Sequence, residues 1–214
     1  MKLAVHALHA LAAALALAAL GAAGGASAFS VNITSGSKAV YLQVGNGTFT
    51  GGTYSGGGAG ANNDTINAVA VTVPAAAGGS GTAQQMTSNS STSNSFYDNY
   101  AFCTPPNQVY IGGYVRSTGA TVTASLTVRT SAASLVNATG DTIAFSQISW
   151  TSSGNGDTGA EAIPSGTFTG GTQTLATFNS NTWNESCHTF SYANAASVAA
   201  GTYTGRATYT LSLP

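Results

Sequence analysis

Charge is the scarcest property of this 214-residue chain: Asp, Glu, Lys and Arg together make up 5% of it. An average globular protein carries roughly 25%. Apart from Lys2, the basic residues are Lys38, Arg116, Arg129 and Arg206. They are spread too thinly for the positive field that a nucleic-acid binder needs, so no nucleic-acid partner is expected. The same shortage removes coiled coils and long solvated helices, which are rich in Glu, Lys, Leu and Arg. Histidine is nearly missing too: beyond residue 28 there is only His188, and no Gly-x-Ser-x-Gly elbow surrounds any serine. A Ser-His-Asp triad therefore lacks its nucleophile context, and His188 reads as a structural residue on a strand.

Acidic residues give no better active site. The closest pair, Asp157 and Glu161, falls on a Gly-rich turn, where neither helix nor strand fixes its spacing. Residues Gly154-Asn155-Gly156-Asp157-Thr158-Gly159 match G-x-G-x-x-G, but Pro164 follows. The helix N-terminus that would hold a pyrophosphate is missing. Asn155 and Asp157 offer Ca²⁺ two side-chain oxygens, a weak ion signal. The chain reads as non-enzymatic, with no cofactor.

Cysteine is limited to Cys103 and Cys187, with no C-x-x-C for thiol exchange or zinc. An even count in an exported chain reads as one disulfide. It would close a loop of about 84 residues and contribute about 4 kcal/mol in the chain-entropy model. Export is read from the first 28 residues. Lys2 is followed by an Ala/Leu run over residues 3–20, a Gly-containing break, and Ala26-Ser27-Ala28. That is the pattern of a signal peptide cut after an A-x-A site. The run is short for a membrane span of about 20 residues, and no second run follows. The mature chain is expected in the periplasm, at the cell surface or outside the cell, without a membrane span.

What remains is small and polar, with apolar residues at period two. Phe29, Val31 and Ile33 alternate with Ser30, Asn32 and Thr34; Val40, Leu42 and Val44 follow. Residues 45–63 read as a long Gly-rich loop, and 75–95 as loop or frayed edge. Between them Val69, Val71 and Val73 form a strand. Val109, Ile111, Gly113 and Val115 alternate with Tyr110, Gly112, Tyr114 and Arg116. Val122, Ala124, Leu126 and Val128 oppose Thr123, Ser125, Thr127 and Arg129, the mark of a sheet with one wet face. Ile143 and Phe145 share one parity and Ile148 and Trp150 the other, which predicts a bulge near Ser146-Gln147. Residues 172–178 and 188–192 are further strands. The last strand sets Tyr203, Gly205, Ala207, Tyr209, Leu211 and Leu213 against Thr202, Thr204, Arg206, Thr208, Thr210 and Ser212.

This pattern predicts an all-β fold: an antiparallel immunoglobulin-like β-sandwich with long Gly/Ser/Thr-rich loops, one domain over residues 29–214. Tyr203, Tyr209, Leu211 and Leu213 are expected in the core. Tyr110 and Tyr114 share a face and are candidates for a contact surface. The run Gly47-Thr48-Phe49-Thr50-Gly51-Gly52-Thr53 recurs at Gly166-Thr167-Phe168-Thr169-Gly170-Gly171-Thr172. Turn chemistry accounts for the echo better than a half-domain repeat.

The closing stretch, from Gly201-Thr202-Tyr203-Thr204-Gly205 to Leu213-Pro214, resembles that of exported bacterial pilin-like proteins of the chaperone–usher and spore-coat-U types. Fimbrial subunits of this kind end in an alternating strand with a Gly where Gly201 stands. The resemblance implies a sandwich that lacks one strand and receives it from a neighbour. Phe29, Val31 and Ile33 would be the donor positions. It also implies other copies of the chain or other pilin-like subunits, and a periplasmic chaperone, as partners. The expected function is an exported, non-enzymatic, fimbria-like structural protein. The alternative is a secreted β-sandwich module that binds carbohydrate or another surface polymer.

Overall fold

A computed structural model describes residues 30–36, 38–47, 52–53, 67–154 and 160–213. The strands are β1 (Ser30–Asn32), β2 (Ala39–Val44), β3 (Gly52–Thr53), β4 (Val69–Ala70), β5 (Gln84–Gln85) and β6 (Thr87–Ser88). They continue with β7 (Val109–Arg116), β8 (Thr123–Thr130), β9 (Ser134–Val136), β10 (Thr142–Ala144) and β11 (Ile148–Ser153). The last are β12 (Gly166–Thr167), β13 (Thr172–Asn179), β14 (Thr182–Tyr192) and β15 (Ala207–Ser212). The fold is all-β and every strand pair is antiparallel. No α-helix occurs among the described residues, and none of their helices is long and apolar enough to cross a membrane.

The larger sheet runs β12-β11-β14-β7-β2-β3, and β14 is its spine. On one side β14 pairs with β1 through Thr182–Asn184 and with β11 through Cys187–Tyr192. On the other it pairs with β7 through Thr182–Ser186 and with β5 at Ser191 and Tyr192. The smaller sheet is β13-β8-β15. Leu126 and Val128 of β8 and Leu175 and Phe178 of β13 meet Ile111, Ile148, Trp150 and Phe190 of the larger sheet in one buried cluster. Thr123, Ser125, Thr127 and Arg129 face outward as the alternation predicts. Trp150 is fixed by its indole N–H to the Pro164 carbonyl at 2.9 Å. A Cβ on Gly166 would sit 2.6 Å from the Trp150 ring, so the close pairing of β11 with β12 requires glycine there.

Two arches carry the chain between sheets, β7 to β8 and β13 to β14. Asn181 laces them together. It sits at φ 60°, a region Asn tolerates better than most residues. Its N–H donates to the Val115 carbonyl at 2.7 Å, and its Oδ1 accepts the Ser117 N–H at 2.9 Å. Its carbonyl accepts the Ile33 N–H at 2.9 Å, which ties in the chain beyond β1.

Several expectations change. The parity switch at residues 145–147 is one turn of 3-10 helix, Phe145–Gln147, rather than a bulge. β14 begins six residues before the predicted start at 188. The closing strand is Ala207–Ser212 only. Thr204 bridges to Val136 of β9 instead of continuing along β8. Tyr203 therefore lies ahead of the strand, with its hydroxyl donating to the Ala199 carbonyl at 2.8 Å. Tyr209 and Leu211 pack on the core; Leu213 is half-buried beyond the last strand pair, Ser212 with Ser125. Gly52 of one echo copy pairs with β2, whereas its counterpart Gly171 leads into β13, so the copies are not structural equivalents. Val31 pairs opposite Trp183 in its own sheet, and Ile33 follows it. Phe29, the residues 1–28 expected to form a signal peptide, and residues 155–159 lie outside the described residues.

Candidate functional site: an aromatic groove on the outer sheet face

The outer face of β2, β7 and β14 is built in two rungs, set by the alternation of each strand. In the first, Tyr41, Tyr114 and Trp183 stand at paired positions. In the second, Gln43, Gly112 and Glu185 do. One rung is aromatic and the next polar, and each has its own chemistry.

The polar rung is buried. Tyr110 lies across the slot left by Gly112, whose missing side chain would collide with the Tyr110 ring. From there the Tyr110 hydroxyl donates to Glu185 Oε2 at 2.6 Å. Tyr41 donates to Gln43 Oε1 at 2.6 Å, and Gln43 Nε2 donates to the Gly45 carbonyl at 2.8 Å. Glu185 Oε1 has no hydrogen-bond partner. Burial, with the Glu185 carboxyl beside it, holds the Tyr110 hydroxyl far above the ordinary phenol range. Burial pushes Tyr41 up to about 12, with Tyr114 and Glu185 adding to it. Both therefore remain neutral donors over any physiological range.

A loop covers this rung. Residues 94 and 101 bridge, Ser95 N–H donates to the Tyr100 carbonyl at 2.8 Å, and Asn99 takes φ 61°. Phe96 and Phe102 lie against Tyr110, with ring centroids 5.7 and 6.1 Å away. Cys103 and Cys187 are joined, with Cα atoms 5.5 Å apart, which pins the loop to β14. Tyr110 is thus 0% exposed, part of a small second core with Phe102 and the disulfide. It is a corrected expectation: the loop crosses the sheet at Tyr110 and takes it out of any contact face.

The aromatic rung is only partly covered: Trp183 is buried, whereas Tyr41 and Tyr114 are half-buried. The Tyr114 ring lies 5.7 Å from Tyr41 and 5.5 Å from Trp183, and Tyr41 and Trp183 are 5.5 Å apart. Tyr97 of the loop approaches Trp183 at 5.8 Å. The Arg116 guanidinium sits over Tyr114, 5.3 Å from its centroid. Beside these rings is a groove of about 310 Å³. The sheet supplies Tyr114, Arg116 and Trp183, the loop Phe96 and Tyr97, and the chain at β1 Asn32, Ile33 and Thr34. Phe96, Tyr97 and Tyr100 keep 46%, 44% and 61% of their surface exposed. So much aromatic surface left in water on a tied-down loop is a feature of binding surfaces.

Of the two tyrosines expected to form a contact face, only Tyr114 reaches the groove. Tyr41, Trp183 and Arg116 were not singled out from sequence. Phe96, Tyr97, Tyr100 and Phe102 stand close together in the sequence, but strand parity does not encode their position over β7. His188 lies on the opposite, inner face, stacked on Trp150 at 5.7 Å, and burial lowers its pKa to about 4. No group of three or more His, Cys, Asp or Glu side chains converges among the described residues. The chain matches no protein-family model, no curated protein and no solved structure.

Proposed function

We propose that the chain is an exported, non-enzymatic surface domain that binds a saccharide polymer in the aromatic groove. The observation that carries this reading is the Tyr41–Tyr114–Trp183 cluster beside an open groove, with Phe96 and Tyr97 half-exposed on a disulfide-anchored loop. A pyranose presents a face of C–H groups that lies flat on an aromatic ring, while its hydroxyls need nearby donors and acceptors. Asn32 and Thr34 line the groove and supply such groups. The anchored loop lowers the entropy lost on binding. The disulfide itself supports export to an oxidising compartment. The test is titration of the domain with a panel of soluble polysaccharides. Tyr97→Ala should weaken binding about tenfold, at roughly 1.4 kcal/mol for one stacked ring. Binding unchanged in Tyr97→Ala would remove the groove from the account.

A second reading has one observation behind it. Among the described residues β15 pairs with β8 and with no other named strand, so there the closing strand stands at a sheet edge. Together with the pilin-like closing stretch, this supports a structural subunit that assembles by strand addition. Copies of itself, other pilin-like subunits and a periplasmic chaperone would then be its partners. Val31 is already paired within its own sheet, which favours the binding module over this second reading.

A further inference from the structure

Arg116 is set apart from the other basic side chains. Lys38, Arg129 and Arg206 are exposed, while Arg116 is half-buried and lines the groove. In a chain with 5% charged residues, Arg116 is the one charged side chain among the described residues that line the groove. Its place is constructed. A Cβ on Gly36 would lie 3.0 Å from Arg116 Cδ, so glycine there leaves room for the arginine stem. The Tyr114 ring then supports the guanidinium from below.

Two N–H groups of the groove's lining residues are unsatisfied. Arg116 Nε and Trp183 Nε1 are both buried and have no hydrogen-bond partner. Trp183 is 5% exposed. The acids near this surface do not serve. Glu185 is engaged with Tyr110 in the buried rung, and Asp98 accepts the Tyr100 N–H at 3.0 Å within the loop. Neither lines the groove.

We propose that the groove selects an acidic saccharide, a sugar chain bearing carboxylates, with Arg116 receiving a carboxylate while the ring lies against Tyr97 and Tyr114. This rests on the saccharide reading above and narrows it. A guanidinium matches a carboxylate with two parallel N–H···O bonds, a geometry that a neutral hydroxyl does not offer.

The test uses polygalacturonate, alginate and hyaluronan, each beside its methyl-esterified form, which keeps the chain and removes the charge. The acidic forms should bind about tenfold tighter than the esters at low salt, and the difference should shrink as salt rises. Arg116→Gln should abolish the difference while ester binding persists. Arg129→Gln, on the other sheet, should leave it intact. Arg116→Lys should retain part of it, since charge survives but the fork does not. Melting temperatures of all variants should stay near wild type. Equal binding of acid and ester, or an advantage that survives Arg116→Gln, overturns the acidic-ligand inference and leaves saccharide binding in place. If none of these polymers binds in either form, the saccharide reading falls with it.

Discussion

Tyr110 and Tyr114 illustrate how a neighbour decides a residue's role. They share a strand face and a chemistry, yet one is sealed under a loop and the other borders a groove. Gly112 between them makes the difference possible, because Tyr110 folds into its empty slot. Gly112→Ala should push Tyr110 off Glu185 and lower stability by about 2 kcal/mol, read as a shift in denaturant midpoint. Tyr110→Phe removes the donor and strands a buried carboxyl, at a similar cost of about 1–3 kcal/mol. His188 makes a pH-dependent prediction. The unfolded chain takes up a proton near pH 6.5, but the folded chain does so only near pH 4. Stability should therefore fall as the pH drops from above 6.5 towards 4, by about 3 kcal/mol from this group. His188→Phe, which keeps the stack on Trp150, should flatten that part of the profile in urea titrations at pH 7 and pH 4.5. An unchanged slope would show that the histidine is not responsible.

Among the elements, the disulfide-anchored loop decides whether a site exists. With both Cys103 and Cys187 changed to Ser, the domain should lose about 4 kcal/mol. Amide exchange in residues 94–103 should accelerate more than elsewhere, and polymer binding should weaken because Phe96 and Tyr97 lose their places. Retained binding with a fully exchanging loop would separate the loop from recognition. β8 was legible from sequence because one of its faces meets water: Thr123, Ser125, Thr127 and Arg129 alternate cleanly with Ala124, Leu126 and Val128. β14 was legible only in its second half. It is covered on both faces in the middle, so Asn184, Glu185, Ser186 and His188 are all buried polar residues. No alternation survives in such a stretch, and Trp183 was hidden with it. The closing strand was overread for the reverse reason. Its alternation runs unbroken through residue 203, but Gly205 passes close over Phe145, 2.6 Å from where its Cβ would be, and Thr204 turns to β9. Half of the expected contact face was thus readable from strand parity. The other half depended on where a loop crosses, which strand parity does not encode.

For the molecule as a whole, the open edge of β15 gives the sharpest test between binding module and subunit. In the first case the mature chain sediments as a monomer at high concentration. In the second, a peptide spanning residues 29–34 raises the melting temperature of a chain lacking them and displaces subunits from one another. Intact-mass analysis of the exported protein should begin at Phe29; a species retaining Lys2 would contradict leader removal. The spine position of β14 has a consequence for time rather than for place. β1 must wait for a partner that lies about 150 residues further along, and such distant pairings slow folding. β7 waits for the same strand, although β2 can reach it earlier. A chain emerging through a membrane from its N-terminus would therefore present β1 and one edge of β7 unpaired until residue 182 arrives. With so few charges along it, it has little of its own to keep those edges from other chains in the interval. A nascent chain stopped before residue 182 would hold most of the strands of the larger sheet but lack the one that unites them.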